Sequence, residues 1–209
     1  MKSSNKKKLL ILASLFVSFN LFISCNNDTD DSEEITINTE LTQKDSDALL
    51  FMLEEEKLAR DTYEYLDNFW GIYQFSNIKL SEQTHMNAIV SLLDKYGVEY
   101  NILPMGQFSN EKLQNLYNQF VLDGQLNTAN ALQIGATIED LDIVDLEEYI
   151  TATSNQSIID VYENLQCGSR NHLRSFVSAL TNSDTTYTPQ FLTQIDYNII
   201  INGVHDNCN

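Results

Sequence analysis

The 209-residue chain has little proline, glycine, cysteine or basic side chain, and each shortage narrows what the protein can be. Only two prolines and seven glycines interrupt it, which suits one compact, largely helical domain. Its three cysteines form no Cys-x-x-Cys pair, so a rubredoxin-type iron centre, which needs four thiolates, is excluded. Twelve basic residues stand against thirty acidic ones, which argues against nucleic acid or an anionic membrane surface as a partner.

Long hydrophobic runs are also scarce, and the N-terminal one has the pattern of a targeting signal. Residues 1–24 hold four lysines and no acid, so the net charge of −18 becomes −22 without them. Three lysines at 6–8 precede an apolar run over 9–23, which is too short to span a membrane comfortably. The segment 21–25, LFISC, resembles the lipobox of bacterial lipoproteins, with Phe22 in place of the usual leucine.

A lipobox implies that residues 1–24 are a signal peptide and that Cys25 becomes a lipidated N-terminus anchored in a membrane. An ordinary secretory signal cleaved nearby is the alternative, and either signal predicts that the mature protein leaves the cytoplasm. Residues 25–44 begin with an acidic run and predict a solvated tether. An acidic run after the cysteine resembles surface-export signals, so we expect an exported bacterial lipoprotein at the outer membrane or cell surface.

Apolar residues recur at steps of three and four over four long segments, which predicts long helices at 46–69, 81–96, 128–151 and 156–180. Asp45 or Ser46 is the expected N-cap of the first helix and Asn155 that of the fourth, while Gly71 and Gly97 follow the first two. Shorter helices are predicted over 110–123 and 190–201, and a short extended piece over 35–38. The expected architecture is all-α, a four-helix bundle over 45–201 with additional short helices and a tail at 202–209.

Each long helix places a metal-ligand side chain within its apolar stripe. These side chains are Glu56 on the first helix, Glu82 and His85 on the second, Glu139 and Asp142 on the third, and His172 on the fourth. A carboxylate in a core stripe is unfavourable unless it is paired or bound to metal. Carboxylates and imidazoles that project from four helices towards one axis are the set used by ferritin-like di-iron and di-manganese proteins. The sequence therefore predicts a metal site for iron, with manganese or zinc as alternatives.

Several of these residues also have an ordinary structural explanation. Glu82 is a first-turn acid that the helix dipole favours, Asp142 belongs to an acid-rich stretch, and a lone His172 is more often a core histidine. Gly135 and Gly168 lie inside helices, where each costs about 1 kcal/mol relative to alanine, either to leave room at a site or to let two helices approach closely. Cys167 and Cys208 can form a disulfide after export or stay as thiols, and the sequence leaves both open.

Four segments carry a family resemblance. Residues 56–63, EKLARDTY, are similar to the Glu-x-x-Ala-Arg-x-x-Tyr motif of rubrerythrins, and 82–85, EQTH, match their Glu-x-x-His. The strings EEEKLARD at 54–61, DIVDL at 142–146 and GSRNHLR at 168–174 resemble the uncharacterised ferritin-like family called domain of unknown function 2202. The resemblance covers about 47–201. It implies a rubrerythrin-like bundle without a rubredoxin module, in which Tyr63 supplies a hydrogen bond or an electron at the metal centre.

One position departs from the rubrerythrin pattern, because Ser169 stands where the fourth-helix Glu-x-x-His has its glutamate. A two-metal site would lack one carboxylate, so one metal, two metals with solvent, or none all remain open. Glu163 lies too far along the helix to substitute. In a two-metal site the resemblance implies that Glu56 and Glu139 bridge or cap, that Glu82 and His85 hold one metal, and that Asp142 and His172 hold the other.

Three functions are compatible with the sequence. The first is a di-metal oxidoreductase of the ferroxidase or peroxidase type, which would need an external electron donor. The second is a metal-binding protein without turnover, used for sensing, storage or delivery. The third is a metal-free ferritin-like scaffold for protein contacts at the cell surface. Nothing in the sequence fixes the oligomeric state, and a homo-oligomer is allowed.

Overall fold

The computed structural model describes residues 41–208, which fold into six helices without a strand. Their bounds are α1 Gln43–Trp70, α2 Tyr73–Tyr96, α3 Glu111–Gly124, α4 Thr128–Ala152, α5 Gln156–Thr181 and α6 Gln194–Asn202. The predicted signal peptide, Cys25, most of the tether and the extended piece at 35–38 lie outside the described residues. The all-α prediction is confirmed.

The four long helices form a bundle in which each helix packs on two neighbours. α1 packs most extensively on α2 and α4 on α5, while α1 also contacts α4 and α2 also contacts α5. Short links join the partners of each pair, at 71–72 and 153–155, as expected for antiparallel neighbours. The longer connection from α2 to α4 contains α3, which packs on α1 and α4.

Three helix starts differ from the sequence prediction. Thr42 rather than Asp45 or Ser46 caps α1, since Thr42 and Asp45 form a reciprocal capping box. α2 begins at Tyr73, eight residues before the predicted start, because Phe75 and Ile78 extend its buried stripe towards the N-terminus. α6 begins at Gln194, after the N-cap Thr193, because the backbone amides of residues 190–192 bind the buried Asp140 carboxylate instead.

The core is divided into two apolar clusters along the bundle. On α1 one cluster contains Leu49, Met52 and Leu53 and the other begins at Leu58, and the same division recurs on α2 and α5. The predicted ligands lie at the level between the two clusters. A buried polar layer between apolar layers excludes bulk water, which makes the electrostatic interactions within it strong.

The C-terminal tail is held against α5. Cys167 and Cys208 form a disulfide, the alternative that the sequence had left open. Asp206 accepts hydrogen bonds from Arg170 and Arg174, and His205 is exposed. Among the described helices, none has a stretch long and apolar enough to cross a membrane.

Candidate metal centre

Two groups of ligand side chains meet in the polar layer of the bundle. In the first group His85 Nδ1 lies 3.1 Å from Glu56 Oε2 and 2.9 Å from Glu82 Oε2. In the second group His172 Nδ1 lies 2.9 Å from Glu82 Oε1 and 3.4 Å from Glu139 Oε2. Each group offers three ligand atoms within 4.8 Å of one another, and Glu82 belongs to both.

The spacing of these atoms suits metal ions. Ligand atoms bound at about 2.1 Å to one ion lie about 3.0–3.4 Å apart in octahedral or tetrahedral geometry. The two oxygens of Glu82 face different imidazoles, so this carboxylate is placed to bridge two ions. The imidazole rings are stacked with centroids 5.6 Å apart, which leaves the two nitrogen donors side by side.

Several of these atoms lack a hydrogen bond despite their burial. They are Glu56 Oε1, Glu82 Oε1, Asp142 Oδ1 and His172 Nδ1. His172 Nδ1 and Glu82 Oε1 are only 2.9 Å apart, yet they do not meet in hydrogen-bond geometry. Buried polar atoms almost always have a hydrogen-bond partner, so buried atoms without one are candidates for holding a metal ion.

Asp142 is buried in the same layer but belongs to neither group. Its Oδ2 accepts a short hydrogen bond from the Ser169 hydroxyl, and its Oδ1 is unpaired. The family resemblance pairs Asp142 with His172, whereas the side chains beside His172 in the structure are Glu139 and Glu82. Ser169 occupies the position of the missing carboxylate and orients Asp142 instead.

Sequence reasoning did not select Glu55, the residue before Glu56, as a buried carboxylate. Glu55 is 2% exposed and neither of its carboxylate oxygens has a hydrogen-bond donor. Burial, together with the charges of Asp142 and Asp145, raises the pKa of Glu55 well above its usual range. Spacing along α1 gave no signal for this burial, because Asp142 and Asp145, the charged groups that face Glu55, lie on α4.

Tyr63 lies beside the second group of ligands. Its hydroxyl donates a 2.6 Å hydrogen bond to Glu139 Oε1, and the side chain is fully buried. Burial and the charge of Glu139 raise the pKa of Tyr63 well above its usual range, so the hydroxyl keeps its proton. Tyr63 can therefore orient Glu139. The other carboxylate oxygen of Glu139, Oε2, faces His172.

Burial and neighbouring charges favour protonation of several of these side chains when no metal is bound. Burial and Asp142 raise the pKa of Glu56 well above its usual range, and burial and Glu139 raise the pKa of Asp142 to about 8. Burial acts in the opposite direction on His172, but Glu82 and Glu139 raise its pKa to about 10. Although burial opposes the change, the two imidazoles lower the pKa of Glu82. The metal-free layer thus pairs an ionised Glu82 with protonated neighbours.

The two helical glycines have different roles. A Cβ on Gly168 would lie 2.7 Å from His85 Nε2, so the absence of a side chain there makes room for the imidazole. A Cβ on Gly135 would overlap the Phe176 ring, which makes Gly135 a close helix contact. Gly168 therefore makes room for the His85 imidazole, and Gly135 lets two helices pack closely.

Replacing Gly168 by alanine is expected to displace the His85 imidazole and weaken metal binding by about 10-fold or more, as changes behind metal ligands do. The matched Gly135→Ala variant overlaps an apolar ring and should lower the free energy of unfolding by about 1–3 kcal/mol without changing the metal stoichiometry. Metal titration and thermal melts of both variants measure this. An unchanged affinity in Gly168→Ala would contradict the position assigned to His85.

Comparison with known proteins gives the family. The model for "Uncharacterized protein domain (DUF2202)" matches residues 45–204. The chain belongs to the DUF2202 family. Its DUF2202 region is 47% identical over 165 residues to uncharacterized protein MJ0754 of Methanocaldococcus jannaschii, covering 78% of this chain and 89% of that protein. The crystal structure of hypothetical protein MJ0754 superposes with a TM-score of 0.79 at 46% identity, over 80% of this chain and 97% of the other. The family predicted from the sequence is confirmed.

Proposed function

We propose that this protein binds two metal ions in its bundle core, with iron as the expected metal and manganese or zinc as alternatives. One observation carries the proposal: the two oxygens of the buried Glu82 each lie 2.9 Å from the Nδ1 atom of a different histidine. Imidazole nitrogens and carboxylate oxygens suit all three metals.

The carboxylates of the layer match the charge of two divalent ions. Four carboxylates, Glu56, Glu82, Glu139 and Asp142, are each 5% exposed or less. Without metal, protons on Glu56 and Asp142 and the charge on His172 limit the repulsion among these carboxylates in a medium of low dielectric constant. Two divalent ions would neutralise four carboxylates and would use the unpaired oxygen and nitrogen atoms.

Each ligand residue has a defined place in the proposed two-metal site. Glu56 and His85 would hold one ion, Glu139 and His172 the other, and Glu82 both. Bound iron would supply the exchange of electrons with dioxygen or peroxide. Tyr63 fixes Glu139 through its hydrogen bond, Ser169 fixes Asp142, and the apolar clusters on either side exclude water.

Oxidation of Fe(II), or reduction of peroxide or dioxygen, is the activity that we propose for this site. The test is to add Fe(II) to the purified mature protein in air and to follow its oxidation. Oxidation faster than in buffer, lost when both His85 and His172 are replaced by alanine, is expected. A rate equal to that of buffer, with metal still bound, would establish binding without turnover. A protein whose stability is indifferent to metal and chelator would be a scaffold.

The site would act outside the cytoplasm if the N-terminal signal is used as the sequence predicts. We propose that Cys25 is lipidated and anchors the protein at the outer membrane or cell surface. The Cys167–Cys208 disulfide supports export, because disulfides persist in oxidising compartments. Labelling cells with a fatty-acid analogue should mark the unaltered protein and leave Cys25→Ala unmarked; equal labelling of both would contradict lipidation.

A further inference from the structure

A second candidate site lies at the end of the bundle where α1 begins and α4 ends. A pocket of about 980 Å³ opens there between the first turns of α1, the end of α4, the start of α5 and the loop that follows α2. Small-molecule sites have volumes of about 300–1,000 Å³ and are lined mainly by apolar and aromatic side chains. The lining here includes Leu50, Leu53 and Ile158 together with four aromatic residues.

One polar group in this lining has no partner. Tyr162 lines the pocket and is 0% exposed, and its hydroxyl makes no hydrogen bond with any described residue. Burial and the neighbouring Tyr149 raise the pKa of Tyr162 well above its usual range, so the hydroxyl remains a donor. A buried donor without an acceptor destabilises the protein, and an acceptor atom of a ligand would remove that penalty.

The aromatic rings form a continuous wall. Phe51 and Tyr149 have ring centroids 6.0 Å apart, and Tyr149 and Tyr162 have centroids 6.3 Å apart. Phe51 and Tyr149 are partly exposed, whereas Tyr162 is buried, so the wall leads from solvent to the Tyr162 side chain. Aromatic side chains attract flat ring systems through offset or edge-to-face contacts.

The charged lining residues select against anions. Among the described residues that line the pocket, Lys44 stands against four acids, Asp45, Asp47, Glu54 and Glu99. Glu54 also fixes the outer wall, because its carboxylate accepts hydrogen bonds from the Ser109 and Asn110 backbone amides. The pocket is therefore a built cavity with an acidic rim, and a neutral ligand enters it more favourably than an anion.

We propose that this pocket binds a neutral small molecule that has a flat apolar ring system and an acceptor oxygen, which takes the hydrogen bond from the Tyr162 hydroxyl. The site is distinct from the metal ligands. It is close to them, because Leu53 in the pocket wall precedes Glu56 by one turn of α1. The proposal does not depend on metal being bound.

Three naphthalenes of similar size test the proposal on the full mature chain by equilibrium dialysis. They are 2-acetylnaphthalene, which has a ketone acceptor, 2-ethylnaphthalene, which has none, and 2-naphthoate, which is anionic. The ketone is expected to bind about 3- to 10-fold more tightly than the hydrocarbon, as one hydrogen bond provides, and the anion least tightly.

Tyr162→Phe is expected to remove the preference for the ketone and to leave the affinity for the hydrocarbon unchanged. Tyr100→Phe, which removes a hydroxyl from a half-exposed residue of the same lining, should retain the preference. If Tyr162→Phe does not fold, the comparison of the three probes on the unaltered chain still tests whether an acceptor oxygen strengthens binding.

Three results would overturn the proposal. Equal binding of ketone and hydrocarbon would show that the hydroxyl is not an anchor, and tightest binding of the anion would refute the selection by charge. Failure of both neutral probes to bind would show that the pocket does not accept a ligand of this class.

Discussion

The Glu82→Gln variant is expected to lose both metal ions at once. Glu82 is the ligand common to the two groups, whereas Glu56 and His85 serve one group and Glu139 and His172 serve the other. Structural sites of four ligands bind zinc with about 10–16 kcal/mol, so one charged ligand contributes about 3 kcal/mol, or about 100-fold in affinity. Glutamine keeps the shape of the side chain but removes the charge and one acceptor oxygen. The measurement is metal content after dialysis, with titration of the affinity.

A variant that lacks one histidine is the comparison for Glu82→Gln, because it should lose one ion rather than both. His172→Ala removes a ligand from the second group only and should reduce the content by one equivalent. Glu163→Gln makes the same chemical change on the exposed side of α5 and should leave both ions bound. If Glu82→Gln loses only one ion, Glu82 does not bridge, and the arrangement proposed for the two ions is wrong.

A rise in pH is expected to destabilise the metal-free protein, whereas bound metal is expected to stabilise it. Burial and nearby carboxylates raise the pKa of Asp142 to about 8, above its usual range, and Glu82 and Glu139 raise the pKa of His172 to about 10. A group whose folded-state pKa is raised stabilises the protein fully below its unfolded pKa, and this contribution is lost as the pH rises towards the folded value.

The pH range over which stability falls follows from the pKa values of Asp142 and His172. Asp142 loses its contribution between about pH 4 and 8 and His172 between about pH 6.5 and 10, so the metal-free protein should become less stable from pH 6.5 to 8. The lowered pKa of Glu82 contributes no slope there, because both its folded and its unfolded values lie below this range. Metal displaces the same protons and therefore binds more tightly as the pH rises.

Thermal melts with and without Mn(II) at pH 6.5, 7.2 and 8 measure the effect. Metal at about 1,000 times its dissociation constant stabilises by about 4 kcal/mol per site, which is about 8–16 °C in Tm for a domain of this size. The increase in Tm caused by metal should grow from pH 6.5 to 8. An increase that is constant or shrinks with pH would contradict the protonation states assigned to the layer. At the same metal concentration Glu82→Gln, which binds about 100-fold more weakly, should be stabilised by only about 1.4 kcal/mol per site.

Periodicity predicted the long helices and the ligand layer because each ligand interrupts an apolar stripe at a step of three or four residues. Glu56 and His85 stand out for this reason, and the structure places both within the first group. Spacing along one helix cannot show which side chains of different helices meet. The shared position of Glu82 and the contact between Ser169 and Asp142 depend on how α2, α4 and α5 are packed together.

The start of α2 and the burial of Glu55, which the sequence did not predict, have similar physical causes. Ser81 is a good capping residue, yet α2 starts at Tyr73, because the apolar residues Phe75 and Ile78 gain more by packing in the bundle. Glu55 escaped notice because a stripe defined by one partner helix ignores the side of α1 that faces Asp142 and Asp145 of α4. Local propensity was overridden at both places by tertiary packing.

Metal analysis of the purified protein tests the central claim most directly. The mature chain, prepared without chelator, should contain two equivalents of iron, manganese or zinc by mass spectrometry, and the His85→Ala, His172→Ala double variant should contain none. A metal-free protein that melts cooperatively and gains no stability from added Fe(II), Mn(II) or Zn(II) would contradict the metal centre.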